Sequence, residues 1–379
     1  MRVGVNAYFL AHPQSGSGQY LLELARRLPQ ESPGWEFVWY VPAGLPVPEE
    51  LAPQAVGVPV PACARGNWAK LFFEQVAFAR AAEQSACDVL FVPYFGPPSR
   101  LRELAVVTVH DTIPLLLPAY RRGALARAYS GLVRANGWRC RLLLADSDWT
   151  RRDAVQLMGA HPDRVRVVPL GVGEGMRPVT DEGALAGVQE RYCLPKRYLL
   201  FLAGADRRKR ADVLLEAYAA LLQGVPDAPD LVLAGRVPDR PSAAVFDLRA
   251  LVAAAGLRER VWFIGAVDEG DKAAVYSGAL AFVFPSEYEG FGLPPLEAMA
   301  CGAPVVAANA TSVPEVCGDA ALLVPPGDAE ALAEALERVI RDPDLRSWMA
   351  QRGRERAAGY TWERTARLTA QALEEAGSA

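Results

Sequence analysis

The sequence holds three histidines and six cysteines in 379 residues, and neither set clusters. Cys63, Cys87, Cys140, Cys193, Cys301 and Cys317 form no CxxC pair and no metal-type spacing. A zinc centre on such ligands is excluded, and reduced thiols are the simplest reading. No apolar run reaches the ~18–20 residues that a spanning helix needs. The opening MRVGVNAYFL has neither the apolar core nor the cleavage site of a signal peptide, so a cytoplasmic protein is expected. Excess positive charge is lacking too. Lys and Arg number 40 against 44 Asp and Glu, a net charge of −4 that gives no general attraction for nucleic acid. Any basic site must be local. No short-period repeat or low-complexity tract is present.

What is present is apolar residues, 51% of a chain too long for one ordinary core. Strand-like runs alternate with helical patterns: MRVGVNAYF, a helix from about Gly18 to Leu28, WEFVWYV, a helix near Trp68 to Glu83, DVLFVP, AVVTVHD, a helix from about Tyr120 to Trp138, RLLLADS and RVRVVPLG. The rhythm breaks at the Gly-rich GVGEGMRPVTDEG, read as a linker, and restarts with RYLLFLAGA, ADVLLEAYAALLQG, DLVLAG, a helix near Ser242 to Gly256, RVWFIGAV and DEGDKAAVYSGA. This is the pattern of two successive doubly wound α/β domains. The tail reads as helical with a break near Gly359, leaving a last helix from about Thr361 to Ala376 that is free to pack back on the first domain.

Residues 285–304, PSEYEGFGLPPLEAMACGAP, place Glu289 and Glu297 on either side of GFGLPPL. An apolar strand-length run, ALAFVFPS, precedes them and PVVAAN follows, so the loop lies at the carboxyl end of a parallel strand, where ligands bind in open sheets. Pro294 and Pro295 suit the first positions of a short helix ending near Cys301. Gly290 and Gly292 let backbone approach a ligand, and the helix N-terminus suits a phosphate. Glu297, in the first helical turn, can accept two hydrogen bonds from a vicinal diol, and Glu289 can reach a second polyol. Together they describe a sugar nucleotide. A first-turn glutamate also favours any helix, by about 0.3–1 kcal/mol.

A diphosphate needs cations, and DRRKR supplies Arg207, Arg208, Lys209 and Arg210 after the strand RYLLFLAGA. A solvated helix start is the alternative, although cations there oppose the helix dipole. In the first domain, SGSGQY offers Gly16 and Gly18 to a phosphate or a passing substrate. TVHDTIPL puts His110 and Asp111 at a strand end, either as site residues or in a structural bond to backbone. Asp146-Ser147-Asp148 resembles a metal-binding carboxylate pair, but it precedes a helix start, where Ser147 or Asp148 caps exposed N–H groups.

With these pieces in place, the chain resembles glycosyltransferase family 4, retaining enzymes of GT-B architecture, over nearly its whole length. EYEGFGLPPLEAMACGAPVV matches the paired-glutamate motif, and GDAALLVPPGD, VHDTIPL, ADSDWTRRD, VVPLGV and the strand before RRK add further matches. The resemblance implies an acceptor-binding Rossmann-like domain over 1–172, a nucleotide-sugar-binding one over 173–358, and a helix over 359–379 crossing back to the first. It implies that Glu289 contacts the transferred sugar, Glu297 the ribose, and backbone at Gly290, Phe291, Gly292 and Leu293 the sugar and diphosphate. Arg208 and Lys209, after Gly204, would stabilise the departing phosphate, with no metal required. His110 would hydrogen-bond the transferred sugar. Members often read PRKN where this chain has GADRRKR, so the pairing among Arg207, Arg208 and Lys209 can slip by one.

The segment 67–99 resembles bacterial polysaccharide mannosyltransferases, which implies GDP-mannose as donor, with UDP-glucose or another nucleotide hexose next. The base would draw on Arg236, Val237 and the turn Gly265 to Val267. The resemblance implies a glycan or a lipid-linked glycan as acceptor. Residues 120–141 carry Arg121, Arg122, Arg127, Arg134, Arg139 and Arg141 without an acidic residue, a surface that could lean on an anionic bilayer. A GT-B epimerase or a non-catalytic sugar-nucleotide binder would use the same frame. Because Glu289 and Lys209 read as loop-end residues outside any core face, replacing either by alanine is expected to leave the fold intact.

Overall fold

A computed structural model describes residues 1–13, 15–59, 61, 66–121, 123–237 and 241–378. Cys63 and Arg122, named above, lie outside the described residues. The chain divides into two compact units, Met1–Gly171 with Thr361–Ala379, and Val172–Tyr360.

Among the described residues the N-terminal unit carries seven parallel strands: β1 (Arg2–Asn6), β2 (Glu36–Pro42), β3 (Ala55–Val58), β4 (Val89–Val92), β5 (Ala105–Val109), β6 (Leu142–Ala145) and β7 (Val165–Val167). Their order is β3-β2-β1-β4-β5-β6-β7, and register sets Val5 between Trp39 and Phe91. The runs AVVTV and LLLA are buried throughout because helices cover both faces. Along β5, Val106 packs on the face shared with the helix Gly16–Glu31, whereas Val107 and Val109 meet Phe73 and Phe78 on the other. The C-terminal unit repeats the plan with β8 (Tyr198–Leu202), β9 (Asp230–Ala234), β10 (Val261–Gly265), β11 (Ala281–Phe284), β12 (Val305–Ala308) and β13 (Ala321–Val324), in the order β10-β9-β8-β11-β12-β13. Both sheets reverse strand order near the middle, after β1 in the first and after β8 in the second. These are the switch points at which loops diverge and leave a crevice.

The last helix, Trp362–Ser378, belongs to the N-terminal unit, as its sequence suggests. Trp362, Ala366, Ala370 and Leu373 recur at helical spacing and pack against Tyr20, Leu21, Leu24 and Leu28. Arg27 Nε donates to Glu363 at 2.6 Å and Arg166 pairs with Glu375 at 2.5 Å, fixing the helix at both ends. Among the described residues no helix is long and apolar enough to cross a membrane.

Several element boundaries differ from the sequence reading. The helix placed from about Tyr120 to Trp138 runs only over Ala124–Gly137, because Gly123 has φ +90° and a separate turn, Pro118–Tyr120, precedes it. The segment Ser242 to Gly256 is helical only over Leu248–Ala254, where Asp247 caps the Ala250 N–H. A second break divides the tail, at Asp342 and Pro343, between helices Ala329–Arg341 and Pro343–Ala357. Strand β3 escaped notice because AVGV is a mostly exposed edge strand with a glycine in it.

Leu373→Ala removes a fully buried side chain from the seam between the last helix and the first. It is expected to lower unfolding free energy by about 2–5 kcal/mol, measured by urea denaturation.

Candidate active site

The candidate residues fall into two groups, one in each unit. In the C-terminal unit, β8 ends in a tight loop: the Gly204 φ is +67°, and a Cβ on Gly235, after β9, would lie 2.6 Å from the Gly204 nitrogen. The chain then forms the turn Arg207–Lys209, capped by Asp206, whose carboxylate accepts the Arg208 N–H at 3.0 Å. From β11 the chain runs through Ser286 to Glu289. The two loops are tied together, since the Arg208 carbonyl accepts the Glu287 N–H at 2.8 Å and the Ser286 hydroxyl at 3.2 Å.

Glu289 is 8% exposed and engages on both oxygens. Lys209 Nζ and Ser286 Oγ each lie 2.5 Å from Oε1, and Arg208 Nη1 lies 2.8 Å from Oε2. Its backbone is pinned as well, the N–H donating to Thr311 Oγ1 at 3.0 Å and the carbonyl accepting the Ser312 hydroxyl at 2.9 Å. Burial alone would raise the Glu289 pKa, but Lys209 and Arg208 hold it below the ordinary carboxylate value. Burial lowers the Lys209 pKa, partly countered by Glu289. Arg208 and Lys209 meet Glu289, while Arg207 stacks over Phe246 at 4.4 Å.

Two expectations are corrected here. Glu289 and Lys209 are not loop-end residues free of the core; each is buried and leans on the other, with Lys209 Nζ 4.8 Å from the Phe284 ring centroid. Glu297 is not in the first helical turn. The helix is Leu293–Ala300, which makes Glu297 its fifth residue, and its Oε2 accepts the Tyr276 hydroxyl at 3.0 Å. Burial pushes the Glu297 pKa up, partly offset by Lys272. The same register sets Pro294 and Pro295 at the second and third helical positions, where neither has an N–H to offer. Those two positions therefore offer an anion no N–H, and Gly292 just before the helix has φ +113°. The Phe291 ring lies edge-on to Tyr360 at 5.8 Å. Arg236 and Gly265 are exposed and Val267 half-buried, at the carboxyl ends of β9 and β10; the Gly235 N–H donates to the Gly265 carbonyl at 2.6 Å.

In the N-terminal unit His110 follows β5. Its Nδ1–H donates to Asp146 Oδ2 at 2.8 Å, Nε2 lies 3.2 Å from the Pro93 carbonyl, and the Tyr20 ring stands edge-on at 4.6 Å. With an acceptor at each nitrogen the imidazolium is favoured: burial would lower the pKa, but Asp146 raises it above the ordinary 6.5. A bond from His110 to a sugar requires the longer Nε2 contact to open. Asp146 is thus the partner of His110, a role the sequence reading missed, while Ser147 caps the helix by accepting the Thr150 N–H at 3.0 Å. Gly16 is open to solvent, but Gly18 is not available to a ligand in the way expected. A Cβ there would strike the His12 carbonyl, and its N–H donates to Ser15 Oγ at 3.1 Å. Of the arginines in 120–141, Arg127, Arg134 and Arg139 are exposed, Arg121 is half-buried, and Arg141 donates to the Ala376 carbonyl at 3.3 Å.

The family model for glycosyl transferases group 1 matches residues 193–356, and that for glycosyltransferase family 4 matches residues 14–174. The O-antigen chain mannosyltransferase B of Escherichia coli is 32% identical over 272 residues, covering 72% of this chain and 70% of that protein. Serotype-specific mannosyltransferase WbdA, also of Escherichia coli, is 31% identical over 69% of this chain, which spans 32% of that longer protein. Among solved structures, sucrose-phosphate synthase from Thermosynechococcus elongatus superposes with a TM-score of 0.76 at 23% identity, covering 99% of this chain and 98% of that one. That likeness is one of fold.

Lys209→Ala leaves Glu289 with one buried cation fewer, and is expected to lower unfolding free energy by about 3–5 kcal/mol in denaturant titration. By NMR, His110 is expected to titrate above 6.5, with Asp146→Asn lowering its pKa. Because the folded pKa is the higher one, the stability this imidazolium contributes is complete below pH 6.5 and is lost as pH rises through the folded value.

Proposed function

The chain belongs to glycosyltransferase family 4, and from that premise we propose that it transfers mannose from GDP-mannose, with retention of configuration, to a hydroxyl of a glycan or lipid-linked glycan. The observation that carries this reading is the buried Glu289–Lys209–Arg208 cluster at the switch point between β8 and β11. The mannosyltransferase relatives support the choice of sugar.

In this reading the C-terminal unit binds the nucleotide sugar and the N-terminal unit the acceptor. The base lies by Arg236 and the turn Gly265 to Val267, the ribose by Glu297, and the diphosphate by backbone of Gly290, Gly292 and Leu293. The C1–O bond of the donor breaks and its electron pair leaves with the diphosphate, whose growing charge Arg208 and Lys209 stabilise. An acceptor hydroxyl bonds to C1 on the face being vacated, and its proton passes to the departing phosphate oxygen. Glu289 contacts the sugar and keeps both cations in place beforehand. Its two oxygens are already engaged, which supports front-face attack over a covalent intermediate on Glu289. His110 bonds the transferred sugar. No metal enters the scheme.

The acceptor would be met in the cytoplasm, partly at the inner face of the membrane. Arg127, Arg134 and Arg139 are exposed on or beside the helix Ala124–Gly137, and Trp138, 46% exposed, carries the Arg139 guanidinium 4.5 Å above its ring. Three such arginines contribute about 1 kcal/mol each near an anionic surface, enough for a reversible contact.

GDP and GDP-mannose are expected to raise the unfolding temperature with the logarithm of their concentration, by about 2.7 kcal/mol in stability at 100 times Kd, with or without EDTA. Stabilisation by uridine nucleotides alone would replace the donor, and none by any nucleotide would remove the transferase reading. Glu289→Gln is expected to slow transfer by about 10²–10³, and an inverted anomer in the product, read by NMR, would refute retention. Cosedimentation with phosphatidylserine vesicles, lost in a triple Arg127, Arg134, Arg139→Ser variant, is the expected mark of membrane contact; equal pelleting of both proteins would count against it.

A further inference from the structure

The N-terminal sheet has its own switch point, between β1 and β4, and the residues there are not accounted for by His110. Asn6 ends β1 and Tyr94 follows β4. The Tyr94 hydroxyl donates to Asn6 Oδ1 at 2.8 Å, and Asn6 Nδ2, fully buried, has no hydrogen-bond partner among the described residues. Close by, a π-helical turn, Phe73–Ala77, interrupts the helical run between Asn67–Phe72 and Phe78–Gln84. Such turns recur at functional sites. This one carries Glu74, 0% exposed, with neither oxygen in an aligned hydrogen bond among the described residues.

The counter-charge of Glu74 is Lys70, whose Nζ lies 3.3 Å from Oε1. The same ammonium sits 5.3, 5.1 and 5.2 Å from the ring centroids of Phe9, Tyr94 and Tyr129, a cage of three aromatic faces. Tyr129 is fixed in turn, its hydroxyl donating to the Phe95 carbonyl at 2.5 Å, and a Cβ on Gly96 would strike that hydroxyl and lie 3.2 Å from Glu74 Oε2. Burial pushes the Glu74 pKa up to about 7, against the pull of Lys70. Unlike Glu74, the Lys70 side chain retains 26% exposure, and it opens onto a cavity of about 190 Å³ lined by Leu71, Pro114, Tyr120, Tyr129 and Ser130.

We propose that this cavity is the subsite for the acceptor sugar, taking one neutral pyranose ring whose hydroxyls accept hydrogen bonds from the Lys70 ammonium while a face of the ring stacks on Tyr129. The inference rests on the glycosyl-transfer reading and names the acceptor's place within it. The lining selects the chemistry. A phosphate is disfavoured because, among the described residues, Lys70 is the only cation lining the cavity and Glu74 lies 3.3 Å from it, and a hydrocarbon chain because it would desolvate the ammonium without giving it an acceptor. The volume, below the roughly 300–1,000 Å³ of drug-sized pockets, suits a single ring among apolar and aromatic walls with few polar groups. Glu74, sealed from solvent, is a positioning residue that holds Nζ within the aromatic cage whose Tyr129 also lines the cavity.

Saturation-transfer NMR with methyl α-D-mannopyranoside and methyl α-D-glucopyranoside tests the cavity without turnover, and a transfer assay with the same glycosides as acceptors gives their KM. The wild type is expected to bind a glycoside, and Lys70→Met to raise the acceptor KM tenfold or more while GDP stabilises both proteins equally. Glu74→Gln is expected to raise acceptor KM with little change in kcat, which a purely structural defect would not do. Ala126→Phe fills the same cavity and leaves the ion pair intact, so it tests the subsite independently if Lys70→Met fails to fold. Unchanged acceptor KM with GDP still bound would overturn the subsite and leave the transferase reading standing. Should no nucleotide bind, the transferase reading fails, and the NMR signal with its loss in Ala126→Phe still decides whether a sugar occupies the cavity. Displacement of the glycoside by inorganic phosphate would also overturn the neutral-ring assignment.

Discussion

Glu289 is the charge on which the loops of the C-terminal unit depend. A carboxylate removed from water demands partners, and those it finds come from different parts of the chain. Arg208 and Lys209 follow β8, Ser286 follows β11, and Thr311 and Ser312, which hold its backbone, follow β12. One desolvated group therefore sets the relative positions of loops from three neighbouring strands. In the proposed reaction the same network acts as preorganisation, since the cations meant for the leaving diphosphate are already oriented before a donor arrives.

The two sheets are parallel, and parallel sheets concentrate their polar chemistry where strand order reverses. In the C-terminal unit the reversal lies between the strands that deliver Arg208, Lys209 and Glu289. In the N-terminal unit it lies between those that deliver Asn6 and Tyr94, with His110 one strand further on and bound to the Pro93 carbonyl. Each unit pairs a buried carboxylate with a lysine near this point, Glu289 with Lys209 and Glu74 with Lys70. The pairs differ in consequence. Glu289 has two cations and a hydroxyl and is held below its ordinary pKa, whereas Glu74 has one cation at longer range and is pushed up to about 7.

Much of this was legible along the chain. The apolar runs of β5, β6 and β11 are continuous because both their faces are covered, and local composition records that directly. Glu289, Arg208 and Lys209 stood out because strand, loop and charge follow one another within a few residues. Asp146 did not, because its partner His110 lies 36 residues away and its neighbour Ser147 supplied a sufficient local reason for the segment. Thr311 and Ser312 carried only a weak signal, two hydroxyls just beyond a strand. Glu297 lies beyond the first helical turn because the helix starts at Leu293, one residue before the two prolines that mark a start in sequence.

Local patterns in the chain set the alternation of strands and helices, the two-unit plan, the return of the last helix and the loop that carries Glu289. Periodicity and turn chemistry are local properties, written within a dozen residues or so. Long-range packing sets which arginine meets Glu289, buries Glu289 and Lys209 instead of leaving them at loop ends, and cages Lys70 among Phe9, Tyr94 and Tyr129. Those outcomes depend on desolvation and on contacts between residues far apart in the chain, and both arise only when packing excludes water from a group and brings its counter-charge within reach.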